Sequence, residues 1–147
     1  KSLEKIEVWK TVKAEAKTFE QCLQVFKHTP SYSKEEVEAW MMVKAKAETF
    51  EQHLWVWEYT PFNSQKKEKI EAWEMVKNKA KTFEQCHRVW KQSPDDSSEK
   101  SEALVMMKSK AETFEQCQWI WKQILSDSQK KAEAFKIMKA KAEELLL

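Results

Sequence analysis

Large hydrophobic residues recur at alternating steps of three and four along this chain. Such steps place side chains on one face of an α-helix, because a helix has about 3.6 residues per turn. The clearest stretch runs from Glu38 to Pro61, and its hydrophobic stripe is Trp40, Val43, Ala47, Phe50, Leu54 and Trp57. The stripe passes without a slip through Thr49-Phe50-Glu51-Gln52. That tetrapeptide also matches a capping box, which would start a second helix there. The unbroken phase favours a single long helix instead.

The stretch is one copy of a repeat. The hexapeptide Lys/Glu-Thr-Phe-Glu-Gln-Cys/His begins at Lys17, Glu48, Lys81 and Glu112, at offsets of 31, 33 and 31 residues. A truncated fifth copy begins near Ala132. A fixed period of this length is the signature of a repeat architecture. We therefore expect a single all-helical repeat domain over 1–147, with repeats at about 1–30, 31–61, 62–94, 95–125 and, truncated, 126–147.

Clusters of Ser, Pro and Asp separate the copies and indicate short turns. Ser33, Ser64, Ser98 and Ser128 stand in these clusters as candidate N-caps. The predicted helices are 2–28, 34–59, 65–92, 98–125 and 128–146. Short turns make consecutive helices antiparallel. The predicted fold class is all-α: an up-down antiparallel array of four long helices plus a shorter fifth, one helix per repeat of about 31 residues. The array is either a closed bundle or an open layer.

A few positions resemble a tetratricopeptide repeat, namely Glu71-Ala72-Trp73, Val76, Phe83-Glu84-Gln85 and Pro94. That family pairs two helices in each repeat, with a glycine between them. Trp73 and Pro94 are only 21 positions apart and the glycine is missing. The chain is therefore not assigned to that family.

Composition narrows the class of protein. Hydrophobic residues are 41% and charged residues 34% of the 147 residues, which is typical of a globular protein. The net charge is +2 with interleaved signs, which argues against a nucleic-acid partner. No apolar run is long enough for a transmembrane segment. Glycine is absent, which excludes a Gly-rich phosphate loop and suggests a selected or designed composition. Three cysteines, an odd count, favour the cytoplasm or the cytosol of a recombinant host.

One position of the repeat carries candidate metal ligands. It lies three residues after the phenylalanine of the hexapeptide, and its occupants are Cys22, His53, Cys86 and Cys117. Three Cys and one His is a zinc ligand set. In antiparallel single helices, however, successive copies of this position alternate between two ends about 20 Å apart. We therefore expect no metal and no cofactor. His28, at a predicted helix end, and His87, in the stripe, are expected to be structural.

The residues expected to contact a partner are aromatic and sulfur-containing. Trp55 and Trp119 are equivalent in the repeat and lie outside the main stripe, so each is either exposed or covered by a neighbouring helix or a sister chain. Four methionines add adaptable apolar surface: Met41, Met42, Met106 and Met107.

No catalytic motif occurs, so we expect no enzyme. The expected function is a non-enzymatic α-helical repeat scaffold, structural or protein-binding, possibly engineered, acting through a protein partner or self-association. An alternative is a carrier of apolar ligands or lipid, because five amphipathic helices are similar in layout to the exchangeable insect apolipoproteins, which open on a lipid surface. A third reading is a metal or haem binder through the Cys/His positions.

Overall fold

The chain is entirely helical where its structure is described. The computed structural model describes residues 2–146, except for the side chains of Ser2, Leu3 and Ala134. These residues form eight α-helices and no strand, which confirms the all-α class. The helices are α1 (Ser2–Glu15), α2 (Phe19–Lys27), α3 (Lys34–Lys46), α4 (Phe50–Glu58), α5 (Lys66–Lys79), α6 (Phe83–Gln92), α7 (Ser98–Lys110) and α8 (Phe114–Leu146).

The prediction of one long helix per repeat is wrong, because every hexapeptide starts a new helix. In the second copy, Thr49 is the N-cap of α4 and has extended backbone angles. Its hydroxyl oxygen accepts a hydrogen bond from the Gln52 backbone N–H at 3.2 Å, and Gln52 Oε1 accepts one from the Thr49 N–H at 3.2 Å. The same reciprocal pair forms at the other three threonines, Thr18, Thr82 and Thr113. Each repeat thus has a first and a second helix.

In the second copy, the hydrophobic phase survives this break because α3 and α4 face the same core. Trp40 and Val43 on α3 form one buried cluster with Val56 on α4, and the stripe residue Trp57 on α4 packs against this cluster. The Trp40 indole N–H donates a hydrogen bond to the Val56 carbonyl at 2.8 Å, which ties the two helices together. An unbroken stripe therefore indicates a shared core and does not indicate a continuous helix.

A Thr-Pro or Ser-Pro pair ends the second helix of the first three repeats. The Thr29 hydroxyl donates to the Val25 carbonyl at 2.6 Å, and the Ser93 hydroxyl donates to the Val89 carbonyl at 2.7 Å. The proline that follows cannot continue a helix. In the fourth repeat the equivalent residues are Ile124 and Leu125. Accordingly α8 runs on to Leu146, and the predicted turn before a separate helix at 128–146 is wrong.

The turns manage without glycine. Tyr32 and Asp96 occupy equivalent turn positions with φ of 63° and 61°, in the left-handed region that favours glycine. Each precedes a serine N-cap. The cap of α3 is Ser33, as predicted, whereas α7 is capped by Ser97 instead of Ser98. The N-cap of α5 is Gln65 instead of Ser64, and Ser128 lies inside α8.

Two compact units make up the chain, one up to Lys81 and one from Thr82 onward. In the first unit, first helices α1, α3 and α5 are joined by ion pairs, and second helices α2 and α4 by aromatic contacts. In the second unit, α7 packs on α6, and the buried hydrophobic residues are Cys86, Val89, Ala103, Met107 and Ile120. The division into a single domain with five copies stays a prediction.

Loss of the Thr49 cap is expected to destabilise the fold. Thr49→Ala removes the acceptor for the Gln52 N–H, and we expect the free energy of unfolding to fall by about 1 kcal/mol. Urea unfolding followed by circular dichroism measures this change. Thr49→Ser keeps the oxygen and is the matched control, with little change expected. If α3 and α4 were one continuous helix, alanine would stabilise the protein, because it is the best helix former.

Candidate functional site

The four candidate metal ligands differ in exposure. Cys22, His53 and Cys86 are buried, whereas Cys117 is exposed. Burial raises the pKa of the Cys22 and Cys86 thiols, which disfavours the thiolate that binds metals. Within residues 2–146, no group of three or more His, Cys, Asp or Glu side chains is placed to hold a metal ion. The described side chains therefore supply no ready-made metal centre.

His53 lies in a groove between α3, α4 and α5. The groove has a volume of about 630 Å³, and most of its lining is apolar. His53 is 4% exposed, and its Nε2 has no hydrogen-bond partner among the described residues. Burial, together with the nearby charge of Lys79, lowers the pKa of His53 below its ordinary value of 6.5. The imidazole is therefore neutral at pH 7.

The charged groups of this groove pair with one another. Lys44 Nζ lies 2.6 Å from a carboxylate oxygen of Glu68 and 2.6 Å from one of Glu71. Burial alone lowers the pKa of Lys44, but the hydrogen bonds to Glu68 and Glu71, together with the negative charges of these residues, outweigh it, and the pKa lies above its ordinary value. The same bond holds the pKa of Glu71 below its usual range. These groups link α3 to α5, so their pairing serves the packing of the repeats.

Trp55 and Trp119 are half-buried, each against the second helix of the preceding repeat. Trp55 meets the rings of Phe19 and Phe26 edge-on, at centroid distances of 6.3 and 5.2 Å. Trp119 contacts His87 at 4.7 Å and Trp90 at 4.9 Å, also edge-on. A neighbouring helix thus covers one side of each indole. Their role in partner contact stays a prediction.

The four methionines do not share one environment. Met41 is exposed and lines the groove between α3, α4 and α5, while Met42 and Met106 are half-buried. Met107 is fully buried in the core of the second unit, so the expectation that it adds surface is wrong. It occupies the position of Val43, which the core of the first unit also encloses.

Part of α8 exposes hydrophobic residues whose equivalents in the second copy are buried. This surface was not predicted from the sequence. Residues 133–142 align with residues 38–47 of the second copy, so Phe135 corresponds to Trp40 and Met138 to Val43. Trp40 and Val43 are 0% exposed, whereas Phe135 is 67% and Met138 70% exposed. We call Phe135, Met138 and Ala142, which lie on one side of the helix, the α8 tail face. The missing Thr/Ser-Pro pair was the signal that could have revealed it.

The preceding half of α8 has a second uncovered surface. Trp121 corresponds to Trp57, whose ring packs on Trp73 of the next repeat at 4.9 Å. Trp121 itself is 60% exposed. Because α8 continues straight, the repeat-five segment does not fold back onto Trp121. The helix therefore carries two exposed surfaces, one around Trp121 and one around Phe135. The equivalent residues, Trp57 and Trp73, pack against each other.

Comparison with known proteins leaves the chain without a match: no family model, no curated protein and no solved structure is similar to it. Among the described helices, none combines the length and the apolar character needed to cross a membrane.

Burial of His53 is expected to make stability depend on pH. Its folded pKa is lowered, so the unfolded chain takes up the proton first, and stability falls as the pH drops through about 6.5. His53→Cys places the residue of the other three copies in this position and removes that loss. Urea unfolding at about pH 7.5 and about pH 5 compares the two proteins. His87 and the carboxylates are common to both, so an equal pH dependence would contradict the assignment.

Proposed function

We propose that this chain is a non-enzymatic α-helical repeat scaffold that binds another protein chain through the α8 tail face. The observation that carries the proposal is the contrast between Phe135 and Trp40. The two occupy the same repeat position, yet one is largely exposed and the other enclosed. A face with core composition that no described part of its own chain covers is the kind of surface that marks a protein interaction site.

The shape of the face favours a helical partner. Elsewhere in the chain, the first helix of a repeat packs along the second helix of the repeat before it, as α3 does on α2 and α5 on α4. The α8 tail face repeats the first-helix pattern, so the complementary surface is a second-helix type of stripe. Recognition of one amphipathic helix by another buries residues at steps of three and four. Phe135, Met138 and Ala142 have this spacing.

The groove at His53 supports a structural role over a catalytic one. Its lysine is paired with two glutamates, and these contacts join α3 to α5. The neutral imidazole is largely enclosed, and burial is the main cause of its lowered pKa. These features fit a scaffold whose polar side chains hold neighbouring repeats together.

Site-specific photocrosslinking tests the proposal. A photoreactive phenylalanine analogue placed at Met138 of the full chain is expected to form a protein adduct in the cells that express it. The same analogue at Ala140 is the matched control, because that position is about 200° around the helix from Met138. Adduct formation should be lost when Phe135→Asp is added. Equal labelling at both positions, or no protein adduct at 138, would overturn the proposal.

A lipid surface is the second candidate, favoured by lysines beside the same apolar residues. The tail of α8 carries five of them: Lys130, Lys131, Lys136, Lys139 and Lys141. A basic amphipathic helix can lie at the interface of an anionic membrane. If α8 binds lipid, vesicles containing phosphatidylglycerol should shift the tryptophan emission to the blue, and pure phosphatidylcholine vesicles should have a smaller effect. An unchanged spectrum with both removes this candidate.

A further inference from the structure

We infer that the partner of α8 is a second copy of this chain, bound as an antiparallel pair of α8 helices. The inference rests on the proposed function and names its partner. In this pair, the tail of each α8 packs on the other copy's residues 114–125, the second-helix segment of repeat four. Each copy thereby supplies the repeat-five helix that the straight α8 of its partner does not fold back.

The template for this contact already exists within the chain. Trp57 on α4 packs on Trp73 on α5. Only residues 59–65 join the two helices, and so short a connection makes neighbouring helices antiparallel. In the fourth and fifth copies, Trp57 corresponds to Trp121 and Trp73 to Phe135. Both of these side chains are largely exposed. Trp121 of one copy can therefore pack on Phe135 of a second copy, as Trp57 packs on Trp73 within the chain.

A straight α8 cannot make this contact with itself. The helix has 33 residues and is about 50 Å long. Trp121 and Phe135 lie 14 residues apart on it, a separation of about 21 Å along the helix axis. In an antiparallel pair, Trp121 of one copy faces Phe135 of the other, and the reverse contact forms at the same time. The two-fold axis then passes at Ser128, midway between them. Trp121, Ser128 and Phe135 are spaced by seven and share one face.

Charge provides an independent argument for this register. A lysine on one first helix pairs with a glutamate on the next first helix: Lys13 with Glu38 at 2.9 Å, and Lys44 with Glu71 at 2.6 Å. The equivalent residues in repeats four and five are Lys108 and Glu133. Both are exposed, and neither has an ion-pair partner within the described residues. When the tail of a second copy occupies the repeat-five place, its Glu133 meets Lys108.

The surface is large enough for a stable dimer. An isologous interface uses every residue twice, once on each copy. The aromatic rings of Phe114, Trp121 and Phe135 bury about 150–250 Å² each when enclosed. Even with part of that area already covered, each copy approaches the roughly 800 Å² per partner of standard interfaces once the aliphatic neighbours are added.

The molar mass of the full chain is the first test. Sedimentation equilibrium over about 1–100 µM should give twice 17.5 kDa at the upper end of the range. Phe135→Asp should raise the dissociation constant at least about a hundredfold, because it removes two symmetric contacts. Tyr32→Asp is the control: Tyr32 is 78% exposed in the turn before α3, and the equivalent residue of repeat three is already an aspartate, Asp96. The dimer should persist in this variant. Helical content should be unchanged in both variants.

A charge exchange tests the register. Lys108→Glu and Glu133→Lys should each weaken the dimer by about tenfold, because each places two like charges together in both halves of the pair. The double variant should restore the affinity of the original chain. Failure of the double variant to recover would contradict the proposed pairing, even if the chain is dimeric.

Cysteine crosslinking tests the position of the axis. With the exposed Cys117 replaced by serine, Ser128→Cys should oxidise readily to a disulfide-linked dimer. Ser126→Cys in the same background is the control, since it lies about 200° around the helix and faces away from the partner. Equal crosslinking at both positions would overturn the antiparallel arrangement.

The outcomes separate this inference from the proposed function. A chain that stays at 17.5 kDa throughout the concentration range overturns the dimer, and this includes the case in which α8 bends near Ser128 and covers its own Trp121. If a different protein is nevertheless crosslinked at position 138 and not at 140, the proposed function stands. If no protein adduct forms at position 138, with a second copy or with a different protein, both the dimer and the proposed function are wrong.

Discussion

The hydrogen-bond pair between a threonine and the glutamine three residues later governs the architecture of this chain. Each such pair satisfies backbone N–H groups at the start of a second helix and holds the threonine in an extended conformation. The first helix must therefore end just before it. Two helices per repeat follow, and the ion pairs between first helices and the ring contacts between second helices depend on that division.

The next constraint is the pair of residues that ends each second helix. Thr29-Pro30 and Ser93-Pro94 stop a helix because the hydroxyl binds a carbonyl of the last turn and the proline blocks continuation. Ile124 has no hydroxyl to bind a carbonyl, and Leu125 does not block continuation of the helix. The exposed tail of α8 is thus the direct result of two aliphatic residues in place of a hydroxyl and a ring. The amphipathic pattern of the repeat persists beyond them, and this is why the tail still looks like core.

The sequence predicts some of these features well. The repeat, the all-helical class and most turn positions follow from periodicity and from Ser/Pro clusters. The helix break at Thr49 does not, because burial of both helices on one core preserves the 3-4 phase across it. The exposure of Phe135 could not be predicted either, because a hydrophobic pattern shows that a helix face can pack against a neighbour but does not show whether a neighbour is present. The burial of Met107 required the tertiary packing of α7 on α6.

The packing of helices on their neighbours in sequence within each unit has a consequence for how the chain forms. Contacts such as those of α2 with α3 and of α6 with α7 close only short loops, so little loop entropy opposes them. Low contact order of this kind is associated with rapid folding, and in repeat chains with nearest-neighbour coupling folding can begin at any repeat and propagate from it. The Trp40 core of the first unit is fully enclosed. It is therefore expected to be among the last parts of that unit to exchange its amide hydrogens with solvent.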